Sequence, residues 1–187
     1  MKGIIFNAVE DAVTNLYSAD TWDDLLDEAG LEGDYTSLGN YDDAELIGLV
    51  GAACKATGHQ PEELIRTIGQ HAFPYLASRY PEFVEVDTTF EFLRAVNDII
   101  HPEVLKLYPD SNPPEFEFAD QPDGALRMTY KSARKLGVLA EGLIHGAAAE
   151  LGETVDIDVV SGAGEAVTVF DIRIVANAST GSVEEAA

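Results

Sequence analysis

The hydrophobic positions of the first half repeat with a helical period. Ile5, Val9, Val13 and Leu16 form one stripe, with Glu10 and Asp11 off it. The stretch 18–30, SADTWDDLLDEAG, predicts a second helix with Thr21 as N-cap and Gly30 as stop. The stretch 41–58, YDDAELIGLVGAACKATG, opens with Asp42 and Asp43, which suit a helix N-terminus, and closes at Gly58. In 60–81, QPEELIRTIGQHAFPYLASRYP, Pro61 starts a helix and Leu64, Ile65, Ile68, His71 and Tyr75 share a face. Pro74 predicts a kink there. The last helical stretch, 88–109, TTFEFLRAVNDIIHPEVLKLYP, is interrupted by Pro102.

The pattern changes at 110–118, DSNPPEFEF, where two prolines and short polar residues enforce a loop. EFEFA and ALRMTYKSA flank the turn signal DQPDG and read as an antiparallel hairpin. A helix over KLGVLAEGLIHGAAAELG follows, then two alternating strands on either side of 161–164. The final STGSVEEAA is polar and expected to fray. The layout is α+β: a helical part, 1–110, packed on a four-stranded antiparallel sheet with an inserted helix, 111–180. Residues 1–180 read as one domain and 181–187 as a tail.

Within TYKSARKLG, 129–137, Tyr130, Ser132 and Arg134 alternate, so a strand would turn all three to one face. All are hydrogen-bond donors, and together they would converge on an anion. Charge sharpens this: 11 basic residues stand against 34 acidic ones, a formal −23, so each arginine is scarce. The same balance argues against nucleic acid and against an anionic membrane surface as partners. A lone cysteine, Cys54, excludes an intramolecular disulfide and a multi-cysteine zinc site, and reads as a small core residue. No apolar run reaches the roughly 18 residues of a membrane span, and the N-terminus lacks a signal-peptide pattern, so a soluble cytoplasmic protein is expected.

Of the histidines, His59 reads as solvated, His145 as packing or surface, and His71 as a core histidine on the Ile68–Tyr75 stripe. His101 differs. It sits mid-stripe between Phe90, Leu93, Asn97, Leu105 and Tyr108, and Pro102 denies the Asp98 carbonyl its helical donor. A histidine on an apolar face beside a helix break is a candidate axial ligand for a large apolar cofactor. A haem presents iron on its face and two carboxylates at its edge, and His101 with Tyr130, Ser132 and Arg134 supplies both needs. Nucleophilic catalysis finds no G-x-S-x-G elbow, and SGAGEA lacks phosphate-loop spacing.

His101, the NPP of 112–114 and the YKSAR of 130–134 together resemble the haem-nitric oxide/oxygen binding (H-NOX) family. MKGIIF, LASRYPEF and AEGLIHGAA fit family segments in the same order, and the resemblance spans 1–175. It implies ferrous haem b (protoporphyrin IX) between the helical and sheet parts, with His101 as iron ligand and Tyr130, Ser132 and Arg134 on the propionates. Pro114 matches the proline that packs against and distorts the porphyrin, and Ile5, Val9, His71, Tyr75, Leu139 and Leu143 match pocket-lining positions. Leu139 stands where oxygen-binding relatives carry a tyrosine, which points to nitric oxide; His71 is the one alternative donor. The cysteines of relatives with structural zinc are missing, so no zinc is expected.

The implied function is a gas sensor and not an enzyme. It binds NO, and also CO, at ferrous haem, releases the proximal histidine and regulates a separate signalling protein. With only a short tail after the sheet, a histidine kinase or cyclic-di-GMP enzyme acting in trans is the expected partner. The competing readings are an oxygen-binding or peroxidase-like haem protein, for which only His71 could begin to supply acid–base chemistry, and a haem-free protein-interaction module.

Overall fold

A computed structural model describes residues 1–177; the expected frayed tail lies outside them. The first helices form where the apolar stripes predict. α1 (Gly3–Leu16) buries Phe6, Val9 and Val13. α2 (Ala19–Ala29) ends on Gly30 in the left-handed region, φ 69°. Its cap is Ser18 rather than Thr21: the Ser18 hydroxyl accepts from the Thr21 backbone N–H at 3.1 Å. Ser18 has the extended backbone a cap needs, whereas Thr21 is already inside the first turn. α3 (Asp43–Thr57) is held at its start by a reciprocal Asp42–Glu45 capping box. α4 (Pro61–Arg79) continues through Pro74.

Pro102 leaves a clear mark. α5 (Thr89–Ala95) passes into a π-helical turn, Val96–Ile100, before α6 (His101–Leu107) resumes. The His101 backbone N–H donates to the carbonyl of Val96, five residues back. A proline at 102 cannot donate to Asp98, so the ladder widens one residue earlier. His101 is thus the first residue after a wide turn, where an α-helix is easiest to re-aim.

The sheet is antiparallel throughout, ordered β1 (Glu115–Asp120), β2 (Leu126–Lys131), β4 (Val167–Asn177), β3 (Glu153–Ser161). α7 (Gly137–Glu150) covers one face, where Leu126, Met128, Tyr130, Phe170 and Ile172 join Ile144, Phe73 and Phe92 in the main core. The other face is laced with ion pairs: Arg127 grips Asp171 through Nε and Nη2, both at 2.7 Å, and Arg173 bridges Asp158 and Asp123. A second core, around Phe6, Trp22, Leu25 and Leu49, closes the N-terminal helices. α4 and α7 approach through glycines. A Cβ on Gly142 would stand 2.2 Å from the Arg66 carbonyl oxygen, and one on Gly146 would stand 2.5 Å from both the Gln70 carbonyl oxygen and the Phe73 Cβ.

Candidate functional site

Between the helical part and the sheet lies a cavity of about 510 Å³. α1, α4 and α7 supply one wall through Ile5, Phe73, Leu76, Leu139 and Leu143. The π turn, α6 and the loop that follows also line the cavity, with Ile100, His101, Val104 and Pro114. Its polar lining includes Asn40, Asp110, Ser111, Asn112, Ser132 and Arg134.

His101 enters this cavity from an apolar setting. Its ring stacks on Phe116, centroids 5.5 Å apart and 28° between planes. Its Nδ1 is fully buried without a hydrogen-bond partner among the described residues. Burial pushes the imidazole below the ordinary histidine range, and the nearby Pro114 backbone offsets this in part. A neutral imidazole at pH 7 is the form that ligates a metal. Asn97, in the π turn, fixes the neighbourhood: its Oδ1 accepts from the Phe116 backbone N–H at 3.1 Å, tying the turn to the start of β1.

Tyr130, Ser132 and Arg134 meet at the cavity, though not as one strand face. β2 ends at Lys131. Ser132 still pairs its N–H with the Ala166 carbonyl at 2.8 Å, but then the chain turns: Lys135 N–H returns to the Ser132 carbonyl at 3.2 Å and Lys135 takes φ 57°. The Ser132 hydroxyl accepts from the Arg134 N–H at 3.3 Å, the local competition by which serine stops a strand. Arg134 Nε donates to Asp43 Oδ2 at 2.7 Å, and Nη1 donates to the Asn112 carbonyl. Asp43 also holds the Met1 amino group, 2.9 Å from Oδ1. Burial alone would raise the Asp43 carboxyl; the two cations outweigh it and leave it below its ordinary value. Arg134 Nη2 makes no hydrogen bond among the described residues.

Three expected lining residues lie elsewhere. His71 is exposed on α4. Tyr75 packs toward Ala8, Ala12 and Ala72 and carries Arg79 over its ring at 5.0 Å. Val9 belongs to the second core and faces a separate apolar cavity of about 90 Å³. The cause is one of phase: α4 and its capping residue Tyr80 line the large cavity with Phe73, Leu76, Ala77 and Tyr80, spaced i, i+3, i+4, i+7, a stripe other than the one through His71. Sequence reasoning also missed Tyr80, half-exposed at the cavity and stacked on Phe83 at 5.8 Å, and Ser111. The apolar spacing about Phe73 was the signal for the first; a serine in a Pro-rich loop gave none for the second.

A haem fits the residues present. A cavity of this volume is in the range of cofactor sites. It offers one buried neutral imidazole, otherwise apolar walls, and donors able to meet carboxylates. Among the described residues no group of three or more His, Cys, Asp or Glu could hold a bare metal ion. No described helix is long and apolar enough to cross a membrane.

Residues 2–159 match the haem-NO-binding family, and the chain belongs to it. Solved H-NOX structures share the fold over nearly the whole chain. An H-NOX protein from S. oneidensis in the Fe(II)NO state is 30% identical, covers 93% of this chain and 99% of its own, and superposes with a TM-score of 0.84. A triple mutant of an S. oneidensis H-NOX protein in the Fe(II) state gives 0.86 at 29% identity, covering 95% and 97%. The unliganded Fe(II) H-NOX protein from K. algicida gives 0.81 at 28% identity, covering 96% and 99%.

Proposed function

We propose that this protein is a haem-based gas sensor whose physiological ligand is nitric oxide. The observation that carries the reading is a single one: one cavity receives both the neutral, buried imidazole of His101 and the donors of Tyr130, Ser132 and Arg134. His101 would hold the iron of ferrous haem b, and Tyr130, Ser132 and Arg134 its propionates, with Pro114 against the macrocycle. When bound, the haem would supply an iron able to take a diatomic gas.

The chain's own residues do the rest. Ile5, Phe73, Leu76, Leu139 and Leu143 make the gas side apolar and exclude water. Bound O₂ carries partial negative charge and needs a donor; His71, exposed on α4, is not placed to give one. On the other side, the π turn before His101 has already surrendered regular α-helical bonding, which lowers the cost of moving that segment. Ile99, Leu105 and Leu107 are solvent-facing apolar side chains on the same segment, so its displacement alters an exposed surface. If the His101 tether were kept in one ligand state and released in the other, NO would gain the differential affinity that any switch requires. A signalling protein, of the histidine kinase or cyclic-di-GMP class, would read that surface.

Titration of the ferrous protein with NO, CO and air tests this. NO and CO should each change the absorption spectrum at one equivalent, and air should not give a stable oxygen complex. A stable oxygen complex would overturn the choice of gas and direct attention to Tyr80. Peroxide turnover above that of free haem would favour the enzymatic reading.

A further inference from the structure

The loop between α6 and β1 carries a buried hydroxyl with no partner among the described residues. Ser111 lines the large cavity, and its Oγ is fully buried with no hydrogen-bond partner among the described residues. Both ends of its loop are pinned: the Ser111 backbone N–H donates to the Tyr108 carbonyl at 2.9 Å, and the next residue's carbonyl, that of Asn112, accepts from Arg134 Nη1. Ser111 is therefore held next to Asn112, the residue whose carbonyl Arg134 holds, on the lining of the cavity. A buried hydroxyl without a partner is unfavourable, and such groups in native proteins have a ligand or water to meet.

The surrounding charges say what it meets. Arg134 shares its charge with Asp43, and Asp110, next to Ser111 in the chain, adds a carboxylate to the lining, so the surroundings of Ser111 are not strongly cationic. A carboxylate bound there depends on neutral donors as well as on Nη2. We propose that the Ser111 hydroxyl is a further donor to a haem propionate, outside the Tyr130–Ser132–Arg134 set. The inference rests on the haem reading and deepens it. A lining hydroxyl with no partner among the described residues would donate its only proton to a carboxylate bound beside it, forming a charge-assisted bond.

The test uses the full chain reconstituted with ferric haem b and, separately, with ferric haem dimethyl ester, whose propionates carry no charge. Transfer of haem to excess apomyoglobin gives the dissociation rate. Ser111→Ala should release haem b roughly tenfold faster than wild type, Ser111→Thr should stay near wild type, and the dimethyl ester should leave at similar rates from wild type and Ser111→Ala. Equal haem b rates for wild type and Ser111→Ala would overturn the proposal. So would an equal acceleration with the dimethyl ester, which would make Ser111 a packing residue. Failure of the wild type to take up haem at all would instead bring down the haem reading itself, and this inference with it.

Discussion

Arg134 faces two tasks at once, and this decides how it tolerates substitution. Its Nε and Nη1 hold Asp43 and the Asn112 carbonyl, and Nη2, on a residue that lines the cavity, makes no hydrogen bond among the described residues. A lysine ammonium has three donors, but all sit on one nitrogen and cannot span partners that the planar guanidinium fork reaches from three separate ones. Arg134→Ala should speed haem release by at least tenfold, and Arg134→Lys should recover only part of the loss, both read by haem transfer. Unchanged release in Arg134→Ala would remove it from the propionate site. Leu139 belongs to the same scale: it stands between the large cavity and the small apolar one. Leu139→Tyr should bring in a donor and lengthen the lifetime of an oxygen complex, measured by flash photolysis in air. Cavity positions were legible where a local rule was broken, as with His101 beside Pro102. They were misread where only helix phase distinguished faces: His71 and Tyr75 share an apolar-looking stripe, yet α4 turns its Phe73–Tyr80 face to the cavity.

At the scale of elements, the helices and strands were readable because their apolar period, caps and turn residues agree. Gly30 and Gly58 stop α2 and α3 as their sequence positions suggest. The turn at Ser132–Lys135 was not readable, because Y-x-S-x-R alternates like a strand and only the serine's hydrogen bond to the Arg134 N–H ends it. Close helix packing was equally silent in the sequence. Gly146→Ala places a methyl 2.5 Å from both a backbone oxygen and the Phe73 Cβ, and should cost about 1–3 kcal/mol in denaturant unfolding. Gly51→Ala, mid-helix in α3 with nothing within 4 Å, should instead stabilise by about 0.5–1 kcal/mol. Gly146→Ala at wild-type stability would contradict the tight α4–α7 seam.

Across the whole molecule, pH sets the ion-paired sheet face. The Arg127 hydrogen bonds hold the Asp171 carboxyl below its ordinary value, with burial opposing them. A group whose folded pKa is depressed contributes stability above its unfolded value, about 3.9, and loses it as pH falls through the folded one. Stability should therefore decline below about pH 4, and Asp171→Asn should be less stable than wild type at pH 7 while the gap narrows toward pH 2. A gap that stays constant over that range would show that Arg127–Asp171 carries no pH-linked stability.

The two parts of the fold meet at one cavity, and His101 is the residue through which a ligand there would act on the rest. The direct measurement is haem retention and the ferrous absorption spectrum of His101→Ala, purified with and without imidazole. The account predicts that the variant loses haem without imidazole and regains it when imidazole is supplied. Full haem content with an unchanged ferrous spectrum, in the absence of imidazole, would contradict it.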